Sequence, residues 1–501
     1  MIDLHKGIKN IFWGLFAQII TIAFGIFIPR LIIVNLGSSV NGLLGAIGSV
    51  FACLALLEAG VGIATQQALY SPIANGNKSE INSILAATYI FYKRTGYSYI
   101  ILVFIFAMIY PFIAKTSEIS RILIGIIIIL HGIPSAVIFL FQGTYRILLL
   151  AEGKNYILIN LATFISVCTS IAKVIILISG GGILSIQISQ CCLGVIPTIY
   201  IIWLIKKYYP WVKIKSIVPN FNAISQKNSV LVHQIAGLVF NNTSVFIMSF
   251  MLPLKSISVY MMYAMIFGMI KGIVVMISQS FIYILGQNYQ NKEKFVKIYD
   301  IYEVYYLTII FALFTITQIL IIPFMELYTL GVKDVNYIDN KIAWLFLIFY
   351  LLHLGRSASS EIINIAQKFK ETQWRAIIET SINIIGSIIF IYFFSVHGAL
   401  LGLILSMIYR ANDMIIYASH KVLNRSCLIS YRRWIYNFIL LIICCYIFAK
   451  IPLNYKKYYN FILNASLISI IVLCIFLISN SIIEKTPAKS LIQIIFKHKL
   501  L

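Results

Sequence analysis

Five cations lie inside segments that are apolar enough to cross a lipid bilayer: Arg30, Lys173, Lys271, Arg356 and Arg410. A single charge at the centre of a bilayer costs at least a few kcal/mol, so such a residue usually faces a protein interior or a wet cavity and marks a pathway. The acidic residues at comparable depth are Glu58, Glu361, Glu379 and Asp413. Because the cations outnumber these acids, a cavity shared by the five would favour an anionic occupant.

The depth of each cation in its apolar segment decides how it is interpreted. Lys271 lies midway along its segment, too deep to reach either membrane surface, which makes it the strongest candidate for contact with a substrate. Arg356 is also too deep to reach the surface. Arg30 follows Pro29, which would kink the helix, and it either lines a cavity or extends to the nearby outer interface. Lys173 lies near the outer end of its segment, so it too either lines a cavity or extends to the outer interface.

Two of the acidic residues have alternative roles that the sequence leaves open. Arg410 and Asp413 are three residues apart and can neutralise each other across one helical turn, so the pair is either structural or functional. Glu58, if buried alone, would readily hold a proton and suit an ion-coupling site. If it were paired with Arg30 or Lys173, it would stay ionised and hold helices together.

The composition requires a membrane to surround these residues. Of the 501 residues, 60% are hydrophobic and only 11% are charged, a balance that no soluble domain tolerates. The net charge of +23 does not indicate nucleic acid, because the lysines and arginines concentrate in loops, where they orient membrane proteins. The sequence has no P-loop for ATP, no HExxH segment and no paired-cysteine metal motif, so we expect no cofactor and no metal site.

We predict an all-α polytopic membrane protein with about 14 transmembrane helices, because runs of about 20 apolar residues fill nearly the whole chain. The predicted spans are 9–34, 42–68, 88–114, 121–147, 156–178, 183–205, 228–252, 257–283, 301–324, 342–366, 376–395, 398–420, 434–451 and 460–483. Lys93 and Arg94 interrupt the start of the third, so residues 82–92 could form a separate surface helix. Most of the lysines and arginines outside the spans fall on one side, which predicts that both termini are cytoplasmic.

The loops divide the spans into groups. We expect an N-terminal six-helix lobe at 1–205, a cytoplasmic linker at 206–227, a second six-helix lobe at 228–420, and two additional helices with a cytoplasmic tail at 421–501. Equal halves are typical of transporters built from structural repeats. Every loop is short, which leaves no room for a catalytic module, and we therefore expect no enzymatic activity.

The chain resembles the oligosaccharide (O-antigen type) flippase family, of the superfamily that also contains the multidrug and toxic compound extrusion (MATE) transporters and the lipid II flippase. The resemblance covers essentially the full length and is carried by diffuse motifs, mostly in the first half: Pro29-Arg30, NLG at 35–37, VNGL at 40–43, LLEAGVG at 56–62, LLLAEGKNY at 148–156 and KKYYP at 206–210.

The resemblance implies a MATE-like arrangement of two six-helix lobes in a V, with two extra C-terminal helices. It implies transfer of an undecaprenyl-diphosphate-linked oligosaccharide from the inner to the outer leaflet of the bacterial cytoplasmic membrane, for O-antigen, capsule or another surface polysaccharide. Relatives place cations that meet the pyrophosphate on the first and eighth helices, which correspond to Arg30 and Lys271. They are driven by ion gradients, for which Glu58, Glu361 and Asp413 are the candidates. The chain lacks an arginine in its second span, so its anion site would be arranged differently.

The expected partners are the lipid-linked substrate, membrane lipids, a polysaccharide polymerase and a chain-length regulator. Two other functions remain open. A MATE-like drug or cation antiporter would need a cavity with net negative charge, whereas five cations face four acids here. A polysaccharide polymerase or ligase would use the same lipid-linked substrate but usually needs a large outer loop, which the chain does not have.

Overall fold

The described chain consists of helices joined by short turns. The computed structural model describes residues 22–489, except 59–60, 215–216, 225–241, 367, 452–454 and 456. These described residues contain no β-strand, which confirms the all-α prediction. The eight cysteines in these residues are all free.

The chain forms two compact units, Met1–Ser258 and Val259–Leu501. The helices of the first unit are α1 (Ile22–Leu36), α2 (Ser38–Leu54), α3 (Val61–Ala74), α4 (Lys78–Ile113), α5 (Arg121–Val137), α6 (Gly143–Ala151), α7 (Asn155–Ile178), α8 (Ile183–Tyr208) and α9 (Asn242–Met251). Helix α2 continues into the 3-10 turn Ala55–Glu58, and the π-helical turn Ile138–Gln142 joins α5 to α6.

The second unit begins within α10. Its helices are α10 (Leu254–Gln287), α11 (Lys292–Tyr328), α12 (Asn340–Gly355), α13 (Ser357–Ile365), α14 (Phe369–Phe394), α15 (Val396–Tyr417), α16 (Leu428–Ala449) and α17 (Tyr458–Ile483). Helix α11 is its core, since two thirds of its most apolar stretch is buried. Helices α16 and α17 both pack on α11.

The described residues contain twelve helical segments long and apolar enough to cross a membrane. The two shorter apolar helices, α1 and α9, fall on the first and seventh predicted spans, whose remaining residues lie outside the described part of the chain. Together they match the predicted total of about 14, and they make the chain a multi-pass membrane protein.

The prediction of a separate surface helix at 82–92 is wrong, because α4 runs without interruption from Lys78 to Ile113. Lys93 and Arg94 are exposed on one side of this helix, while Leu85 and Tyr92 are buried on another. The Asn77 side chain caps the helix by accepting a hydrogen bond from the Glu80 amide at 3.2 Å. The helix therefore extends beyond the apolar stretch because its charges avoid the packed face.

Two motifs that carry the family resemblance meet at one corner of the first unit. Lys154, between α6 and α7, donates to Glu152 Oε2 at 2.6 Å and to the Tyr209 hydroxyl at 2.5 Å. Tyr209 follows α8 and donates in turn to Glu152. Burial and the hydrogen bond to Glu152 raise the pKa of Tyr209 to about 12. The charged residues of LLLAEGKNY thus anchor the exit of α8.

Helices α14 and α15 form a hairpin whose backbones nearly touch. A side-chain carbon at Gly398 would lie 2.0 Å from the carbonyl oxygen of Phe390, and one at Gly402 would lie 2.5 Å from the amide nitrogen of Ser387. Only glycine fits at these two positions, and small residues are the usual means of close helix approach in membranes.

Candidate functional site

A break between α12 and α13 places Arg356. Helix α12 ends at Gly355 and α13 begins at Ser357, so Arg356 occupies the single turn residue between them. The Ser357 hydroxyl donates to the His353 carbonyl at 3.3 Å, a local bond that competes with the helix and often bends it. The ring of Trp434 covers Gly355 so closely that a side-chain carbon there would lie 2.1 Å from Trp434 Cζ2. The break is therefore held by packing from α16.

Arg356 belongs to a buried chain of ion pairs within the second unit. Arg356 Nη1 lies 3.0 Å from Glu379 Oε1, and Arg410 Nε lies 3.1 Å from Glu379 Oε2. Arg410 Nη1 also lies 3.0 Å from Asp413 Oδ2, as the three-residue spacing predicted. Arg375 pairs with the other oxygen of Asp413. We call these five residues the Glu379 cluster.

The Glu379 cluster carries a net positive charge. Three guanidinium groups share two carboxylates, and the Arg410 side chain is 5% exposed while that of Glu379 is 9% exposed. Charges this deeply buried are tolerated only when they are paired. Arg410 uses both carboxylates, and Arg356 stands at the end of the chain of pairs, at the helix break. The cluster as a whole thus has one positive charge more than its carboxylates neutralise, and one of its ends lies at the helix break.

Lys271 lies close to this end of the cluster. It is half-buried in α10 and interacts electrostatically with Arg356, and both cations interact with His353. Among the described residues, Lys271 forms neither an ion pair nor a hydrogen bond. His353 itself stacks on Phe349, with 5.6 Å between the ring centres. Two of the predicted cations therefore converge, and an anion would relieve their mutual repulsion.

Glu361 lies in α13 near the same region. It is half-buried and interacts electrostatically with Tyr302 and Tyr306 of α11, where the Tyr302 hydroxyl is 2.9 Å from the hydroxyl of Ser278. No lysine or arginine in the described part of the chain forms an ion pair with Glu361. Of the three acidic candidates for ion coupling, it is the one whose carboxylate is not held by a hydrogen bond from another helix.

Glu58 has a partner that the sequence alternatives did not include. The Tyr92 hydroxyl of α4 donates to Glu58 Oε1 at 2.5 Å. Neither a solitary carboxylate nor an ion pair with Lys173 is observed. The physical reason is the unbroken α4, whose buried face brings Tyr92 against the turn that follows α2.

The remaining two predicted cations lie in the first unit, in different helices. Arg30 is half-buried in α1, two residues after the buried Ile28. Lys173 is half-buried in α7 and interacts electrostatically with His131 of α5. Three of the five predicted cations, Lys271, Arg356 and Arg410, thus lie in one group of charges within the second unit.

The apolar pattern indicates the depth of Glu379 but not its partners, and it leaves Arg375 just outside the predicted span 376–395. Their spacing of four residues is a signal for neighbouring side chains on one helix face, and it could have indicated that both belong with Asp413 and Arg410.

A second buried cluster joins α11 to the last two helices. Arg433 of α16 lies 3.0 Å from Asp300 Oδ1 and 3.2 Å from Glu484 Oε2, and it also pairs with Glu303. Arg425 lies 2.6 Å from Glu303 Oε2 and pairs with Asp300. Desolvation alone would lower the pKa of Arg425, but the negative charges, chiefly that of Glu303, raise it. These pairs attach the last two helices to α11 within the second unit.

In the described residues, no group of three or more His, Cys, Asp and Glu side chains is placed to hold a metal ion.

Solved structures share this arrangement of helices. The lipid II flippase MurJ, in an inward closed conformation, superposes with a TM-score of 0.73 at 17% identity, over 96% of this chain and 99% of MurJ. An inward-facing multidrug resistance MATE family transporter of the MOP superfamily gives a TM-score of 0.64 at 14% identity, over 81% of this chain and 94% of the transporter. The fold is that of MurJ and the MATE transporters.

A third structure with the MurJ/MATE fold is a MOP superfamily transporter from Pyrococcus furiosus, described as having a binding pocket of reverse polarity. It gives a TM-score of 0.53 at 15% identity, over 82% of this chain and 96% of that protein. No protein-family model matches the sequence, and no curated protein matches it. The similarity is one of fold, and the solved proteins that share the fold are transporters and flippases.

Proposed function

We propose that this chain is a flippase that moves an undecaprenyl-diphosphate-linked oligosaccharide from the inner to the outer leaflet of the bacterial cytoplasmic membrane by alternating access. The observation that carries the proposal is the convergence of Lys271 and Arg356 beside a cluster with net positive charge. Phosphate oxygens are the natural partners of such cations. MurJ, which has the same fold, is itself a flippase of a lipid substrate.

The proposal assigns roles to the other candidates. Arg30 and Lys173 remain candidate substrate-binding cations of the first unit, and an ion bound or released at Glu361, Glu58 or Asp413 would couple transport to a gradient. We retain the lobes at 1–205 and 228–420, the linker at 206–227 and the appended helices at 421–501, with both termini cytoplasmic. The exported units would serve surface polysaccharide synthesis, in contact with a polymerase and a chain-length regulator.

A drug or cation antiporter is the second candidate, because MATE transporters share the fold. The net positive charge of the Glu379 cluster disfavours it, since a cationic drug would be repelled. A polymerase or ligase has no support from the fold.

Deletion of the gene tests the proposal. The deletion strain should accumulate lipid-linked repeat units on the cytoplasmic leaflet and lose surface polymer, and the wild-type gene should reverse both effects. Normal surface polymer without accumulation would reject the flippase function. Unchanged polymer together with increased sensitivity to cationic dyes would favour the antiporter instead.

A further inference from the structure

A pocket with a cavity volume of about 410 Å³ lies where α11 and α16 begin and α17 ends. Lys297 contributes from α11, Arg432 and Arg433 from α16, and Lys485 and Thr486 from the helical residues 485–489 that follow α17. We call it the α17 pocket. Its position is independent of the Glu379 cluster and of the proposed transport function.

The positive charges of the α17 pocket exceed its negative charges. Its two lining carboxylates, Asp300 and Glu484, are both already paired with Arg433. Arg432 pairs with Glu484 as well, yet its side chain is 63% exposed. Lys485 is exposed and forms no ion pair with any described residue. The pocket can therefore take up an anion without losing the pairs that hold its walls.

A buried hydrogen-bond donor in the wall also lacks an acceptor. The Arg433 side chain is only 5% exposed, and among the described residues its Nε atom has no hydrogen-bond partner. A buried donor without an acceptor is destabilising, and ordered waters or ligands commonly supply one. The Thr486 hydroxyl and the exposed guanidinium of Arg432 add donors at the mouth. A phosphate group, with several acceptor oxygens, matches this set.

The surroundings indicate that the anion carries acyl chains. Ile482 and Ile483, the last residues of α17, are 61% and 48% exposed, and Ile483 also lines the pocket. Exposed isoleucines directly before a group of cations mark the boundary between the hydrocarbon and headgroup layers of a bilayer. Basic pockets between helices at such a boundary bind anionic lipid headgroups.

We propose that the α17 pocket binds the phosphate headgroup of an anionic phospholipid, which contacts Arg432 and Lys485 and braces α16 and α17 against α11. The lipid comes from the leaflet at this end of the helices, which the distribution of lysines and arginines predicts to be the cytoplasmic one. The bound lipid acts as part of the structure and is not transported.

The test uses the purified full-length chain in detergent, titrated with dioleoylphosphatidylglycerol, dioleoylphosphatidylcholine or inorganic phosphate while thermal unfolding is followed. Phosphatidylglycerol should raise the melting temperature, and phosphatidylcholine should not. Each basic residue near a charged headgroup contributes about 1 kcal/mol, so the double variant Arg432→Gln/Lys485→Gln should bind phosphatidylglycerol about 30-fold more weakly. The single variant Lys485→Gln, which leaves every ion pair intact, should bind it about fivefold more weakly.

The matched control is Lys450→Gln/Lys457→Gln, which removes two charges at the opposite ends of α16 and α17. It should keep the wild-type response. Wild-type binding by both pocket variants, or an equal loss in the control, would overturn the proposal. An equal shift with inorganic phosphate at the same concentration would mean that the pocket takes free phosphate, which also overturns the lipid assignment.

Discussion

Arg356 Nη1 lies 3.0 Å from Glu379 Oε1, although Arg356 is at the break between α12 and α13 and Glu379 is in the middle of α14. This ion pair joins the irregular part of the second unit to the α14–α15 hairpin. The Glu379 carboxylate is also shared with Arg410, so it only partly neutralises Arg356, the cation beside Lys271. The stability of this region and the charge beside Lys271 therefore depend on the same carboxylate.

Replacing Lys271 with alanine should reduce transport of the lipid-linked substrate at least about tenfold, because the loss of one partner of a buried charge pair costs 2–5 kcal/mol. Lys271→Arg should retain part of the activity, since the charge remains. The measurement is the flipping rate of lipid-linked oligosaccharide in proteoliposomes containing equal amounts of protein. Lys341→Ala, at an exposed lysine in the first turn of α12, is the control and should transport normally. A wild-type rate for Lys271→Ala would show that this cation does not meet the substrate.

Replacing Glu379 with glutamine should destabilise the second unit, because it leaves buried guanidinium groups without a countercharge. Breaking a buried ion pair in this way costs about 3–5 kcal/mol. The melting temperature of the purified protein should fall by several degrees, while the exposed-site control Glu326→Gln leaves it unchanged. Adding Arg356→Gln to Glu379→Gln should restore part of the loss. If the double variant melts as low as the sum of the two single losses, the two residues are not energetically coupled.

Replacing Glu361 with glutamine should make transport insensitive to an imposed ion gradient, because an amide cannot gain or lose a proton and binds Na⁺ weakly. Transport down the substrate gradient should persist. Flipping rates with and without a pH or Na⁺ gradient measure both quantities. Asp413→Asn is the comparison, and it should mainly lower stability because Asp413 holds Arg375 and Arg410. Full gradient dependence in Glu361→Gln would move the coupling role to Glu58, testable in the same way.

Replacing Tyr209 with phenylalanine should destabilise the first unit by about 1–3 kcal/mol at pH 8, since the hydroxyl bonds to a carboxylate. The pKa of Tyr209 is raised to about 12, so its contribution is complete below the ordinary tyrosine value of about 10 and is lost as the pH rises towards 12. The difference in melting temperature between wild type and Tyr209→Phe should therefore shrink between pH 10 and pH 12. Tyr208→Phe, at an exposed neighbour, should show no difference at any pH.

The approximate number of membrane-spanning helices and the Arg410–Asp413 pair could be predicted from the sequence because both depend on local pattern. Apolar length alone identifies a membrane span, and a spacing of three residues alone brings two side chains together. The partners of Glu58 and Arg356 could not be predicted from local pattern, because Tyr92 and Glu379 lie on other helices and approach them only in the folded chain. Arg433 shows the same limit, because its three carboxylate partners, Asp300, Glu303 and Glu484, all lie far from it in the sequence.

The close approach of α14 and α15 at Gly398 and Gly402 has a mechanical consequence. Because the two backbones are in contact at these glycines, we expect α14 and α15 to move together as one rigid pair in any rearrangement of the second unit. Glu379 of α14 and Arg410 of α15 would then keep their distance from each other during such a change. A shift of the hairpin relative to α12 and α13 would then act first on the ion pair between Glu379 and Arg356.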